Sequence, residues 1–185
     1  MLARKVSLFL SHPFVSFLFL IIVSAYTENF LLSFVLSLFF ISILPVLPIL
    51  ILFKEKGIDI FVENKEERPF FFTIAMLCFL FSFLTFSYLD IYYLKLLSLC
   101  YLIVTFTIFI INIKWKISVH TSAIAGPVTF LVYFFGYYYS FFYLLLLPAI
   151  WSRLKTNSHT PAQLIAGIFV SSFVTLFVIS IFPIF

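Results

Sequence analysis

Charge is what this chain has least of. Only 10% of its 185 residues are Asp, Glu, Lys or Arg, against about a quarter in an ordinary soluble domain. Hydrophobic residues make up 64%, so the chain cannot cover its own surface with polar groups, and a water-soluble globule is excluded. Aspartate is nearly absent: only Asp59 and Asp90 occur. Cysteine is as scarce. Cys78 and Cys100 both lie inside apolar runs, which reads as two buried free thiols and excludes a disulfide framework or a zinc cluster. No segment alternates apolar and polar residues, which excludes a transmembrane β-barrel.

What the chain has is hydrocarbon. Phe contributes 29 residues and Tyr 10, and mean hydropathy is +1.24. A membrane-spanning helix needs roughly 20 mostly apolar residues. The sequence predicts such spans over 6–26, 30–53, 70–89, 91–112, 119–135, 137–151 and 160–183. Pro45 and Pro48 are expected to kink the second, Asp90 divides the third from the fourth, and Gly136 hinges the fifth against the sixth. The expected fold is an all-α polytopic transmembrane bundle of six to seven spans in a single domain, 1–185. The first span reads as a retained helix, because Ser24-Ala25-Tyr26 makes a poor small-x-small cleavage site and a second apolar run follows at once.

The charges are polarised. Of the eleven Lys and Arg, Arg4, Lys5, Lys54, Lys56, Lys65, Arg68, Lys114, Lys116, Arg153 and Lys155 lie at the N-terminus or in three loops. With seven spans all of these fall on one face, which the positive-inside rule makes cytoplasmic. The expected partners are membrane lipids, not nucleic acid.

Three loops on that face, 54–69, 113–120 and 152–160, carry the chemistry. Arg68 and Arg153 offer planar forks suited to phosphate oxygens. Ser118 offers a hydroxyl, and His120 and His159 offer imidazoles that change charge near neutral pH. Helix starts after Ser118 and Thr160 aim free N–H groups at an anion. Gln163 lies one helical turn after His159, where it can hold one tautomer. Two histidines with arginines suit phosphoryl transfer: one imidazole attacks phosphorus while the other protonates the departing oxygen. Basic interfacial loops also contact anionic headgroups with no chemistry at all. The third histidine, His12, beside Pro13 in the first span, reads as structural.

Ser152-Arg153, five residues, then His159 resembles the third signature of the type 2 phosphatidic acid phosphatase superfamily of membrane lipid phosphatases. Ser118-Val119-His120 resembles its second signature, Pro-Ser-Gly-His, and Arg68-Pro69 resembles the end of its first, Lys-six residues-Arg-Pro. The resemblance spans roughly residues 54–170. It implies that His159 is the nucleophile that forms a phosphohistidine, that His120 is the acid for the leaving alcohol, and that Arg68, Ser118 and Arg153 bind phosphate. It also implies a reaction with no metal or other cofactor. Phe61 stands where the family has its first-signature lysine; Lys65 is the nearest basic residue and the remaining candidate for phosphate binding. Ile117 and Val119 replace the Pro and Gly of the second signature. Gln163 replaces an aspartate, and His-Thr-Pro-Ala-Gln-Leu-Ile-Ala-Gly is similar to the version in dolichyl diphosphate phosphatases.

The resemblance therefore implies a metal-independent phosphatase acting on an isoprenoid or glycerolipid phosphate or diphosphate, which should enter sideways from the bilayer. The competing readings are a catalytically altered family member, a transporter or lipid-binding protein, and an intramembrane prenyltransferase. The last needs clustered carboxylates for Mg²⁺-diphosphate, and a second acidic cluster is missing.

Overall fold

The computed structural model describes residues 2–57 and 59–182. Ile58 of the first loop, the Lys56 side chain and the last residue of the expected 160–183 span lie outside the described residues. The fold is all-α, 81% helical, with no strand among the described residues.

Helices α1 (Leu2–Phe9) and α2 (His12–Ser24) form one apolar rod broken at Leu10–Ser11. Pro13 falls in the first turn of α2, where its missing N–H has no intrahelical partner to lose. Helix α3 (Phe30–Ser37) starts at Asn29, whose side-chain oxygen accepts the Leu32 N–H at 3.1 Å. It runs into a π-helical turn, Leu38–Ile43, and then α4 (Leu47–Lys56), which Gly57 ends at φ +66°. The two halves are bent by 41°, the kink expected from Pro45 and Pro48. Helices α5 (Arg68–Tyr88) and α6 (Tyr92–Lys114) are an antiparallel pair joined through Asp90, whose φ is +53°. Helix α7 (Val119–Phe135) stops at Gly136, φ +105°. A 3-10 segment, Tyr137–Leu145, leads into α8 (Leu146–Lys155), and α9 (Pro161–Ile181) closes the bundle.

Four helical units are long and apolar enough to cross a membrane: Leu2–Ser24, α5, α6 and α9; the bent α3–α4 pair makes a fifth. They match the expected 6–26, 70–89, 91–112, 160–183 and 30–53. The other two expected spans differ. Helix α7 has 17 residues, and 137–151 is 3-10 for its first part, not one α-helix. Pro148 gives the reason: it lacks an N–H and its ring clashes with the carbonyl four residues earlier, so the α-helix restarts just before it, at Leu146.

The bundle has two unlike ends. At one, Tyr26 stacks on Phe135 with centroids 3.9 Å apart and its hydroxyl meets that of Tyr139 at 2.9 Å; Tyr93 packs edge-on to Phe135. Such a tyrosine-rich rim suits a membrane–water interface. At the other end lie the starts of α1, α5, α7 and α9 and the ends of α4, α6 and α8.

A seam of small residues joins α7 to α9. Thr121 Oγ1 donates to the Leu164 carbonyl, Ser122 Oγ to the Gly167 carbonyl and Thr129 Oγ1 to Ser172 Oγ, all at 3.0 Å. A Cβ on Gly167 would stand 2.6 Å from the Ser118 carbonyl, so only glycine lets the backbones approach this closely. Between helices in lipid, such packing and hydrogen bonding replace the hydrophobic effect as the source of association.

Candidate active site

The loops are fixed by their own helix caps. Thr160 accepts the Gln163 N–H at 3.4 Å, and the Gln163 side-chain oxygen accepts the Thr160 N–H at 3.1 Å, a reciprocal capping box. Ser118 caps α7 by accepting the Thr121 N–H, and its own N–H donates to the Gln163 carbonyl at 3.2 Å. The second and third loops are thereby joined at α9. The Ser118 hydroxyl, expected on phosphate, is fully buried and serves this cap.

The capping box also decides the state of His159. A backbone N–H can only donate, so the Gln163 atom facing Thr160 is the oxygen. That same oxygen lies 3.1 Å from His159 Nδ1, so Nδ1 carries the hydrogen and the neutral ring keeps its lone pair on Nε2. Burial pushes the His159 pKa down to about 3, helped by the positive charges of Arg68 and Arg153. The ring is neutral, with the lone pair of Nε2 open.

Arg153 is the hub. It is 1% exposed, and a buried guanidinium must be hydrogen-bonded or paired. Its Nη1 donates to Ser7 Oγ at 2.9 Å, and its Nη2 meets Glu63 Oε1 at 3.3 Å. Ser7 Oγ in turn lies 3.3 Å from His120 Nε2. Glu63 accepts from Ser158, the residue before His159, at 2.5 Å. One arginine thus links His120, through Ser7, to the loop that carries His159. Its fork also lies over Phe61, 5.3 Å from the ring centroid, and Phe61 packs against the His120 ring. Phe61, where a lysine would stand in the family, is a platform for the guanidinium.

Arg68 ties the first two loops. Its Nε donates to the Val62 carbonyl at 2.9 Å and its Nη1 to the Ile117 carbonyl at 3.1 Å, with Asn112 Oδ1 at 3.5 Å. Lys65 is turned elsewhere: its Nζ donates to the Ile113 and Lys114 carbonyls at the end of α6, where a cation satisfies the last carbonyls of the helix. Arg4 pairs with Asp59 at 2.9 Å and holds the outer part of the 54–69 loop.

Three cations, Arg68, Arg153 and Lys116, act on this site against Glu63 and, from farther off, Asp59, which is itself paired with Arg4. Burial would raise the Glu63 pKa, but the Ser158 hydrogen bond and the charges of Arg153 and Lys116 hold it below the usual carboxylate value. The Lys116 ammonium is pushed down by burial and then by the charge of Arg68. Like charges crowded in this way are an arrangement that a further anion relieves. Among the described residues no group of three or more His, Cys, Asp or Glu is placed to hold a metal ion.

Of the residues read from the sequence, Arg68, His120, Arg153, His159 and Gln163 come together at this end. Ser118 supports them as a cap, and Lys65 does not join them. Arg68 and His120 line a large cavity that His159 and Arg153 do not touch. Glu63, Ser7, Phe61 and Asn112 complete the site and were not legible as members. Glu63 sits in the motif-bearing loop, but nothing in its spacing marks it as the partner of Arg153. No protein-family model, no curated protein and no solved structure matches the chain.

Proposed function

We propose that the protein is a membrane lipid phosphatase that works through a phosphohistidine at His159. One observation carries the reading: a buried, cation-rich cluster lies beside a histidine whose Nε2 is free and whose Nδ1–H is fixed. The carboxylate in contact with Arg153, Glu63, occupies the place that a phosphate oxygen would take.

In this reading the substrate phosphate displaces Glu63 and bridges Arg153 and Arg68. His159 Nε2 attacks phosphorus, forming a P–N bond as the P–O bond to the lipid breaks. His120, which takes up a proton as the phosphate dianion enters beside it, gives that proton to the departing oxygen. Water then attacks the phosphohistidine, returns a proton to His120, and releases inorganic phosphate and a neutral His159. The arginines stabilise charge on the equatorial oxygens throughout, and no metal takes part. The seven helical units are read as seven membrane passes with the site on the cytoplasmic face, following the positive charge.

The test is phosphate release from a polyprenyl diphosphate and from phosphatidic acid by the purified protein, with His159→Ala alongside. The expected result is release that survives chelator and is lost in His159→Ala. Equal release by both proteins, or release that chelator abolishes, overturns the mechanism. A second reading is a catalytically altered relative that only binds lipid phosphates, favoured by Phe61 and by the cap role of Ser118. Phosphate-dependent lipid binding without any release would select it.

A further inference from the structure

Below the basic cluster a cavity of about 570 Å³ runs into the bundle between α2, the bent α3–α4 pair, α5, α6 and α7. Its upper end is walled by Phe61, Arg68 and His120, and its depth by His12, Phe79 and Tyr101. Its lining runs from Arg68 to Phe79 along α5 and from Ile108 to Leu97 along α6, so the cavity is about 17 Å long at 1.5 Å per residue.

The cavity exists because the second span is bent. Pro45, four positions on, has no N–H to give the Ile41 carbonyl, which instead accepts from His12 Nε2 at 2.8 Å, and Ser42 Oγ donates to the Pro13 carbonyl at 2.9 Å. These two bonds pin the bend against α2, and the His12 ring sits edge-on to Phe79 and Tyr101. His12 is therefore part of the cavity wall. The side of the cavity is formed by Leu8, Phe14, Leu47 and Leu50, all of which are exposed. In a bilayer that side opens onto acyl chains.

The volume sets a limit. At about 30 Å³ per carbon-sized group, the share of one molecule in liquid water, the cavity holds about twenty such groups. The two chains of a diacyl lipid would need about twice that volume. We propose that this cavity is the chain subsite of a single-chain lipid phosphate, entered sideways between α1–α2 and α4, and that it shelters the first fifteen to twenty carbons and no more. The proposal rests on the phosphatase reading for the position of the phosphate, which Arg68, at the cavity's upper end, shares with Arg153 just beyond it.

The test uses the full chain in mixed micelles and a series of prenyl phosphates with five, ten, fifteen, twenty and forty carbons, together with a dioleoyl phosphatidate. Binding is read in His159→Ala and phosphate release in the unmodified protein. Affinity, at equal mole fraction in the micelle, should rise by roughly tenfold or more up to fifteen or twenty carbons, as filling an apolar pocket does, and then level off. The phosphatidate should bind less well than the twenty-carbon compound. Ala123→Phe, one helical turn below His120, should cut the preference back to the shortest chains; Thr105→Phe, deeper on α6, should spare ten carbons and penalise twenty. A flat dependence on chain length, equal preference for the phosphatidate, or no shift in both variants overturns the subsite, even if phosphate is released. Graded binding without any release keeps the subsite and removes the phosphatase reading.

Discussion

Glu63 reaches Arg153 at 3.3 Å from a loop ninety positions earlier, and in doing so places a carboxylate on a fully buried guanidinium. The pair is asymmetric. Arg153 is 1% exposed, whereas the Glu63 side chain is 43% exposed. The carboxylate can swing into water at small cost, and the arginine cannot follow. A phosphate arriving at this end competes with Glu63 for the same donor.

Glu63→Gln should therefore strengthen the binding of inorganic phosphate or vanadate by roughly two- to fivefold, since a half-exposed ion pair contributes at most about 1 kcal/mol. Isothermal titration of the purified protein measures it. Weaker binding in the variant would mean that Glu63 organises the site and does not occupy it.

Gln163 fixes the hydrogen on His159 Nδ1 and belongs to the cap of α9. Gln163→Leu should lower turnover by about 10- to 100-fold, the scale of a misplaced reacting group, and cost about 1 kcal/mol of stability from the lost cap. Gln163→Glu keeps an acceptor oxygen for both the Thr160 N–H and the His159 Nδ1–H and should retain turnover. Steady-state kinetics with thermal unfolding separates orientation from stability; a Gln163→Leu protein of unchanged activity would show that the tautomer does not matter.

The pH dependence of His159 follows from its lowered pKa. Between the ordinary 6.5 and about 3 the ring stays neutral where a free imidazole is charged. Carbethoxylation of His159, followed by mass spectrometry of its peptide, should proceed in unliganded protein at a rate that holds steady well below pH 6.5. Bound phosphate reverses the sign: an anion beside the ring favours the imidazolium, so the acid edge should move upward on adding it. An edge at 6.5 in both states would show that neither burial nor Arg68 and Arg153 acts on the ring.

Gly167→Ala tests the seam between α7 and α9. In an exposed helix the change gains up to about 1 kcal/mol of propensity. Here the new methyl meets Thr121 Oγ1 and the Ser118 carbonyl, so the expected result is a loss of about 1–3 kcal/mol from overpacking. It should also displace the Ser118 cap and lower phosphate affinity. Thermal unfolding in detergent gives the sign directly; a stabilised protein would mean that the helices separate freely.

Much of the site was legible as a set of residues. Arg153, His159 and Gln163 sit within one loop and the helix turn after it, so their spacing alone brings them close. His120 and Arg68 could be placed at the same end, because an even number of spans separates the loops that carry them. Glu63, Ser7 and Phe61 could not be assigned, because their partners lie far away along the chain. Ser7 meets Arg153 across 146 positions, and a lone serine in an apolar helix carries no local signal. Lys65 looked as suitable as any cation in its loop; its side chain instead serves the open carbonyls ending α6.

The sequence by itself determined that this protein is a helical bundle with spans apolar enough to cross a membrane, and placed ten of its eleven basic residues toward one end. Hydropathy and charge position are sums over neighbouring residues, and the cost of dehydrating an unpaired backbone group in lipid leaves helices as the only structure for those apolar runs. Only the tertiary structure decided which arginine faces which carboxylate, which histidine nitrogen is free, and that a bent second span, pinned by His12, encloses a cavity. Those features depend on bonds between distant turns, and their strength comes from burial that no single segment supplies.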